Sequence, residues 1–495
     1  MVEIFEALGE VLTLHSLLFL LVGCVVGILF GVIPGLTATM GLALILPFTF
    51  ALEPTHGLIL LMGMYVGGIS GGLVAATLLG IPGTPSSIAT TFDAYPMSKN
   101  GEPVRAMGIG IGASVIGGTV GFIFLIFLSP IIAQFAVQLT PADFASLILL
   151  SLSLIAVLSA DNMIKGITAG VLGVGVSLVG FAPIDGTARL TFGSIQMQAG
   201  VEILPLIMGL FAVAIIHSEV QNDQVIEDIN LKVKGMAVSL KEVVKNKFNL
   251  LRSTLIGVGL GILPGMGSGA SNLIAYAQTK QYSRSPEKFG KGVPEGIYSA
   301  ESSNNSALGG ALIPMLTLGI PGDAVTALLL GGLIIHGIQP GPLLMAENPE
   351  IVNVVYWGFF FSILLVFVLQ LLGLRIFPRV LLMPKQYLFS FLLVMTVVGT
   401  FAMNHRMFDV WVMIVFGIIG YILMKAKYPL APLVLGFVLG PLFEDYFRRA
   451  LMDMETPVGF LTSPLSAIFL ILTVSVLLIT FIQEIKKTQT KRKKN

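Results

Sequence analysis

Long apolar runs fill most of the chain, and short stretches rich in glycine, proline and hydroxyl-bearing residues separate them. A bilayer-spanning helix needs about 20 mostly apolar residues, which leaves room for roughly 10–14 such segments. The pattern of hydrophobic and polar positions therefore predicts an all-α polytopic membrane protein.

Two short motifs occur in both halves of the chain and are expected to interrupt helices. Residues 27–35 read GILFGVIPG and residues 257–265 read GVGLGILPG, while 80–83 and 319–322 both read GIPG. Proline cannot donate a backbone hydrogen bond and disfavours helical geometry in the residue before it. We therefore predict discontinuous or re-entrant helices, with breaks at Pro34, Pro82, Pro264 and Pro321.

The order of landmarks predicts two structural repeats. Pro34, Pro82, Asn162 and Pro205 in the first half correspond to Pro264, Pro321, Asn404 and Pro432 in the second. Paired helix interruptions of this kind point to the binding site of a secondary transporter, and many such folds are inverted repeats. We favour the inverted arrangement, although hydropathy leaves a parallel one open.

One long charged stretch divides the chain. It predicts an N-terminal membrane repeat at 1–217, a polar linker at 218–250, a C-terminal membrane repeat at 251–482 and a basic tail at 483–495. The tail carries many lysines, so the positive-inside rule predicts that it is cytoplasmic. The first lysine is Lys99, and glutamates occupy the start of the chain, which favours an external N-terminus.

Composition supports a membrane protein and argues against an enzyme. Hydrophobic residues form 55% of the 495 and charged residues 11%, whereas soluble domains carry about 25% charge. A net charge of +1 gives no reason to expect a nucleic-acid partner. The five histidines lack metal-ligand spacing, and the chain has no phosphate-binding GxxxxGK[ST] sequence. We predict neither catalytic activity nor an organic cofactor.

Uncharged polar residues follow each predicted break. Hydroxyls, amides and freed backbone groups can coordinate Na⁺, and helix N-termini can bind an anion. The predicted substrate-binding residues are Thr37, Thr84, Ser86, Ser87, Ser303, Asn304 and Asn305. The predicted cation-binding residues are Gly35, Gly265, Ser268, Ser271 and Asp323. Helix capping is the structural alternative for these side chains, and for Asp323 it is at least as well favoured.

Several of these sequences resemble a known family. Residues 31–38 (GVIPGLTA), 261–269 (GILPGMGSG), and 301–305 (ESSNN) through 318–322 (LGIPG) are similar to the large membrane subunit of the tripartite tricarboxylate transporters, the TctA family. The resemblance implies a multi-pass permease of the bacterial inner membrane. It also implies two partners, a small membrane subunit and a periplasmic solute-binding protein, and the uptake of citrate or a related carboxylate driven by Na⁺ or H⁺.

The coupling ion follows from a physical argument. Moving an anion into a negative-inside cell costs about 2.3 kcal/mol per charge per 100 mV, so accumulation needs a co-transported cation. The many neutral oxygens favour Na⁺; a proton would need a titrating acid, for which Glu301 and Asp323 are the candidates. The alternative function is a self-sufficient carrier or channel for another small solute. A non-transporting scaffold is disfavoured, because broken helices are costly in lipid.

Overall fold

The computed structural model describes residues 2–158, 163–220, 240–374, 376–381, 385–454, 456 and 458–492. This part of the chain is almost entirely helical. In the first half the helices are α1 (Val2–Val11), α2 (Leu14–Val32), α3 (Ala38–Thr49), α4 (Pro54–Leu78), α5 (Ile88–Lys99), α6 (Pro103–Ala136), α7 (Pro141–Leu158), α8 (Met163–Ser177), α9 (Ile195–Gln198), α10 (Ile203–Ile207) and α11 (Ala214–Val220). A 3-10 turn (Pro85–Ser87) precedes α5, a π segment (Met208–Val213) joins α10 to α11, and a two-stranded antiparallel hairpin pairs β1 (Gly180–Phe181) with β2 (Ala188–Arg189).

The described part of the second half contains thirteen α-helices. They are α12 (Leu240–Lys245), α13 (Lys247–Ile262), α14 (Gly267–Gln281), α15 (Pro294–Leu318), α16 (Ala324–Ile335), α17 (Leu344–Glu347), α18 (Pro349–Gly373), α19 (Phe377–Leu381), α20 (Lys385–Asn404), α21 (Met407–Lys425), α22 (Leu430–Asp453), α23 (Gly459–Thr462) and α24 (Pro464–Arg492). A second 3-10 turn, Pro286–Lys288, lies between α14 and α15.

The chain is a multi-pass membrane protein. Among the described residues, nine helices are long and apolar enough to cross a bilayer, counting α10, the π segment and α11 as one. Four shorter apolar helices accompany them, at α3, in α7, at α8 and at α16. The predicted range of ten to fourteen membrane segments is reached only when some of these shorter helices are included.

Helices α2 and α3 form a hairpin against α4. Gly23 faces the backbone of Leu60 and Gly31 faces that of Gly68, so α2 runs parallel to α4. Glycines spaced four apart share one helix face and allow this close approach. After the tip at residues 33–37, α3 runs back along α4.

The return path of α3 follows from two contacts. The start of α3 lies at Gly68, which contacts Ala38, and its end lies near Gly57, which is close to Thr49. Helix α3 is therefore antiparallel to α4. The start of α2 and the end of α3 consequently lie at the same end of α4, the end at which α4 begins.

Helices α13 and α14 form the same arrangement against α15. Gly257 faces the backbone of Ser303 and Gly261 faces that of Ala307, so α13 is parallel to α15. Helix α14 then runs back, because Asn272 bonds to the carbonyl of Ala300, farther toward the start of α15. The tip of this second hairpin is at residues 263–266.

Helices α4 and α15 cross antiparallel at the centre of the molecule. The Ser70 hydroxyl donates to Asn305 Oδ1 (2.7 Å) and the Tyr65 hydroxyl donates to the Leu308 carbonyl (3.4 Å). Nearly every residue of both helices is buried. They form the core on which other helices pack, among them α2, α3, α5, α6, α13, α14, α16 and α18.

The two halves exchange their later elements. Helix α5, which follows α4, packs on α15 as well as on α4, and α16, which follows α15, packs on α3 and α4 as well as on α15. Likewise α6 packs on α15 and α18 on α4, while α7 and α8 contact α22, and α20 and α21 contact the π segment. Neither half therefore has a complete set of packing partners of its own.

The two remaining proline landmarks lie inside helices, whereas Asn404 lies at a helix end. Pro205 lies inside α10 and Pro432 inside α22, and Asn404 ends α20, where its amide donates to Asp409 (2.9 Å). Asn162 lies outside the described residues, as does much of the linker, at 221–239. Helix α13 begins at Lys247, four residues before the boundary predicted for the second repeat, and α24 continues into the predicted tail.

Candidate functional site

The chain leaves helical geometry at Pro34 and Pro264 in the same way. Ile33 and Leu263, the residues before the prolines, are both extended, with φ/ψ of −81°/117° and −80°/122°. The glycine after each proline has a positive φ, 93° at Gly35 and 81° at Gly265, a conformation that glycine adopts without strain. The two hairpin tips thus have the same backbone conformation.

The breaks at Pro82 and Pro321 are also alike. Gly80 and Gly319 both have φ of 69° and follow the ends of α4 and α15. Beyond the second proline, Asp323 caps α16, its Oδ1 accepting from the amides of Val325 (3.1 Å) and Thr326 (2.8 Å). Beyond the first, Thr84 has the matching position, and its amide donates to Ser87 Oγ (3.3 Å).

In each half the two breaks are packed directly against each other. A Cβ atom at Gly83 would overlap the carbonyl of Gly31, and one at Gly322 would lie 2.8 Å from the carbonyl of Gly261. In the second half the Gly265 amide also donates to the Gly322 carbonyl (2.7 Å). Backbone polar groups freed by one break are thus close to those freed by the other. Non-helical backbone of this kind is tolerated at membrane depth only when it is buried in protein or lines a water-filled cavity.

A cavity of about 180 Å³ lies where the four breaks converge. Its polar lining consists of hydroxyls from both halves and one carboxylate, contributed by Thr37, Thr39, Thr84, Ser86, Ser268 and Asp323. Gly265, Gly267 and Gly269 expose backbone at its wall, and Ala431 and Leu435 of α22 close one side. No Lys, Arg or His is among the described residues that line it.

Three helices begin at this cavity. Ala38, Gly267 and Ala324, the first residues of α3, α14 and α16, all line it, and so does Pro85 at the start of the turn before α5. A helix N-terminus carries a partial positive charge and unpaired amide donors. The cavity therefore combines hydroxyls and the Asp323 carboxylate with the partial positive charge of three helix N-termini, and the described lining contains no cationic side chain.

The structure brings together some of the predicted site residues and not others. Thr37, Thr84, Ser86, Gly265, Ser268 and Asp323 line the cavity. Gly35 is not among its lining residues and lies against the Glu219 carboxylate. Ser87 is buried behind the wall, where its hydroxyl donates to the Thr84 carbonyl (2.9 Å). Ser271 is also buried and bonds to the carbonyl of Ser268 (3.0 Å).

The predicted residues on α15 lie in the protein core, away from the cavity lining. Ser303, Asn304 and Asn305 are buried. Asn305 accepts from Ser70 and donates to the Glu301 carbonyl (3.1 Å). Neither amide atom of Asn304 has a hydrogen-bond partner, and neither has the Ser303 hydroxyl.

Glu301 is the centre of a buried polar cluster that the sequence does not reveal. Its carboxylate accepts from Thr90 on α5 (2.5 Å) and from Ser114 on α6 (3.1 Å). Thr90 and Ser114 precede Glu301 by 211 and 187 positions, so no local motif could have linked them. The polar run at 301–306 is the only signal that marks this region in the sequence.

These features define a class of protein: a polytopic α-helical membrane protein whose broken helices from two halves enclose a small polar cavity. The model of the tripartite tricarboxylate transporter TctA family matches residues 17–435. The chain belongs to the TctA family and is thus a component of a tripartite tricarboxylate transporter.

Two relatives come from Agrobacterium vitis, and both are described as uncharacterized. A 52.8 kDa protein in the TAR-I ttuC' 3' region is 33% identical over 485 residues, which cover 97% of this chain and 96% of that protein. A protein in the TAR-II ttuC' 3' region is 38% identical over 213 residues, 42% of this chain and 86% of that protein. No solved structure matches the chain.

Proposed function

We propose that this chain is the permease subunit of a binding-protein-dependent transporter that takes up a tricarboxylate or a related carboxylate, coupled to a cation, with Na⁺ favoured over H⁺. Its setting is the bacterial inner membrane, and its partners are a small membrane subunit and a periplasmic solute-binding protein. Membership of the TctA family supports the partners and the substrate class.

The cavity at the four breaks is the observation that carries the proposal. Three helix N-termini and several hydroxyls surround it, and no basic side chain is among its described lining residues. Helix N-termini bind anionic groups well, and in transporters such half-helix ends face the anionic part of the substrate. Thr37, Thr84 and Ser86 are accordingly the proposed substrate contacts at the cavity wall.

We further propose that the two halves are inverted repeats around this cavity. Three observations support it: each half has a hairpin followed by a broken helix, the two broken helices cross antiparallel, and later elements are exchanged between halves. A two-fold axis in the membrane plane relates such elements in many transporters. The two hairpins then enter from opposite sides of the membrane.

Uptake measurements in reconstituted vesicles test the function. Vesicles would contain this chain with the small membrane subunit, and labelled citrate, dicarboxylates and uncharged sugars would be supplied with or without the binding protein. We expect uptake of a carboxylate only when all three proteins are present. Uptake by this chain alone would favour the self-sufficient carrier or channel, and uptake of sugars but not carboxylates would exclude the proposed substrate class.

A further inference from the structure

We propose that the polar cluster around Glu301 is a Na⁺ site, formed by Glu301 and Asn304 with the hydroxyls of Thr90 and Ser114. The proposal deepens the proposed function, on which it rests, by placing the coupling cation. It places that cation one helical turn behind the cavity rather than in the cavity wall.

The cluster holds a buried carboxylate without a cationic partner. Glu301 is fully buried, and no ion pair in the described part of the chain involves it. Both hydrogen bonds described for its oxygens come from neutral hydroxyls. A buried ionised carboxylate is costly unless it is paired or coordinates a metal ion.

The donors around Glu301 are oriented toward an ionised carboxylate. The backbone amide of Ala89 donates to Asn272 Oδ1 (2.7 Å), which fixes the orientation of that side-chain amide. Asn272 Nδ2 then donates to Thr90 Oγ1 (3.4 Å), and the Thr90 hydroxyl donates to Glu301 Oε1. The last acceptor in this series of hydrogen bonds is the Glu301 carboxylate. Every donor in the series is neutral, so none of these groups neutralises the negative charge of Glu301.

Asn304 supplies an unused oxygen next to this charge. It follows Glu301 by three residues on α15, so the two side chains lie on the same face of that helix. It is fully buried, yet neither Oδ1 nor Nδ2 has a hydrogen-bond partner. An unpaired buried amide is energetically costly, and a cation bound between Asn304 Oδ1 and Glu301 would remove that cost on the oxygen side.

The type of ligand favours a hard monovalent cation. Carboxylate, amide and hydroxyl oxygens suit hard cations. No group of three or more His, Cys, Asp or Glu residues capable of holding a metal ion occurs in the described residues, and the proposed ligands include one carboxylate, that of Glu301. A single charge with neutral oxygens fits Na⁺ better than a divalent ion.

Asp93, in the same region, is a buried carboxylate whose two oxygens together have several hydrogen-bond donors. It lies three residues after Thr90 on α5 and is also buried. Its Oδ1 accepts from the amides of Gly290, Gly292 and Val293, each at 2.9 Å, and its Oδ2 accepts from the Tyr276 hydroxyl (2.8 Å). Among the described residues, the hydrogen-bond donors to the Glu301 carboxylate are two hydroxyls, and the side-chain amide of its neighbour Asn304 has no partner.

The cluster is connected to the cavity by α14 and by the 3-10 turn that leads into α5. Ser86 lines the cavity, and Thr90, four residues later, contacts Glu301; Ser268 lines the cavity, and Asn272, four residues later, contacts Thr90. Four residues are about one helical turn. Cation binding at Glu301 would therefore fix the first turns of α5 and α14, which form part of the cavity wall.

Equilibrium binding of radioactive Na⁺ to the purified full-length chain in detergent tests the proposal. We expect saturable binding in the wild type. Because a charged ligand contributes more than a neutral one, Glu301→Gln should raise the half-saturating Na⁺ concentration by about tenfold or more. Glu295→Gln, the same change in the first turn of α15, is the matched control and should bind like the wild type.

Asn304→Ala provides a second variant, because it breaks no hydrogen bond and is expected to fold even if Glu301→Gln does not. It should also weaken Na⁺ binding, whereas Asp323→Asn should not. Na⁺ binding that survives both Glu301→Gln and Asn304→Ala but is lost in Asp323→Asn would place the cation in the cavity and overturn the proposal.

Thermal unfolding in NaCl and in choline chloride, at several pH values, distinguishes Na⁺ from a proton. We expect Na⁺ to stabilise the wild type and not Glu301→Gln. Stabilisation at low pH without any effect of Na⁺, lost in Glu301→Gln, would mean that the site takes a proton. These measurements use neither substrate nor partner subunits, so their failure is separate from failure of carboxylate uptake.

Discussion

Asp323 combines a structural role with a position at the cavity. Its Oδ1 accepts from two amides and from the Thr326 hydroxyl (2.9 Å) at the start of α16. Loss of such an N-cap costs about 0.5–2 kcal/mol. We therefore predict that Asp323→Ala lowers the free energy of unfolding by about 1 kcal/mol, whereas Asp323→Asn, which keeps the acceptor, changes it little. Denaturant or thermal unfolding in detergent measures both, and equal losses in the two variants would contradict capping as the stabilising interaction.

Asn304 and Asn305 are neighbours with opposite hydrogen-bonding states. Asn305 bonds to Ser70 and to the Glu301 carbonyl, so Asn305→Ala should leave the Ser70 hydroxyl unpaired and cost about 1–3 kcal/mol. Asn304 has no partner, so Asn304→Ala should cost clearly less when Na⁺ is absent. Unfolding midpoints of the two variants in choline chloride test the contrast. An equal or larger loss in Asn304→Ala would show that Asn304 is already satisfied in the protein.

Local sequence was informative where a residue's role depends on its neighbours along the chain. Thr37, Thr84 and Asp323 stand directly after breaks, and the structure places each at the cavity as a helix or turn cap. The partners of Glu301 could not be predicted in this way. Thr90 is one of several polar residues on α5, and Ser114 is one of three hydroxyl-bearing residues on α6, so nothing in the sequence singles them out. Only tertiary packing brings them to the carboxylate.

Close glycine packing fixes each hairpin against its broken helix. A Cβ at Gly261 would overlap the carbonyl of Ala307, whereas a Cβ at Gly259, on the same helix, would meet no described neighbour within 4 Å. Overpacking typically costs about 1–3 kcal/mol, while Gly→Ala in an exposed helix gains up to about 1 kcal/mol. We predict that Gly261→Ala destabilises the protein and that Gly259→Ala does not. Unfolding midpoints of the two variants measure the difference, and similar values would contradict tight packing of α13 on α15.

The inverted arrangement makes a prediction for the mouth of each hairpin, meaning the open end opposite its tip. Glu53 follows α3 and Arg284 follows α14, and both are exposed. Basic residues near Arg284 favour the cytoplasmic side for that mouth. In a background that lacks Cys24, Glu53→Cys should react with an impermeant thiol reagent added outside cells, and Arg284→Cys only after the membrane is opened. Labelling of both from the same side would exclude inverted hairpins.

Sequence pattern predicted where helices end better than how they pack. Proline and glycine act locally, so the ends of α2, α4, α13 and α15 could be placed from motifs alone. A re-entrant hairpin and a helix that continues across the membrane have the same hydropathy, however, and only the parallel packing of α2 on α4 separates them. Helix α4 is buried on all sides, so it has no polar face from which its neighbours could be inferred.

At the scale of the whole molecule, the two halves form one site because they exchange elements. Helix N-termini of α3, α14 and α16 reach the cavity from both halves, and the Glu301 cluster joins α5 and α6 of the first half to α15 of the second. A change in either half thus affects both the cavity and the cluster. This arrangement suits a transporter in which binding of a cation and of an anion must depend on each other.

The energetics of uptake set the requirement that the proposed site meets. Each negative charge that enters a negative-inside cell costs about 2.3 kcal/mol per 100 mV, and no basic side chain is among the described residues that line the cavity. Under the proposed function, an anionic substrate would accumulate only if cations moved with it. Accumulation by this protein should for that reason depend on a cation gradient.

Accumulation of labelled citrate or a related carboxylate under an imposed gradient tests this account most directly. Vesicles would contain this chain with both partner proteins, and a Na⁺ gradient and a pH gradient would be imposed separately. We predict that an inward Na⁺ gradient drives accumulation above the external concentration and that collapsing it releases the substrate. Accumulation driven by the pH gradient alone, with no effect of Na⁺, would contradict the account.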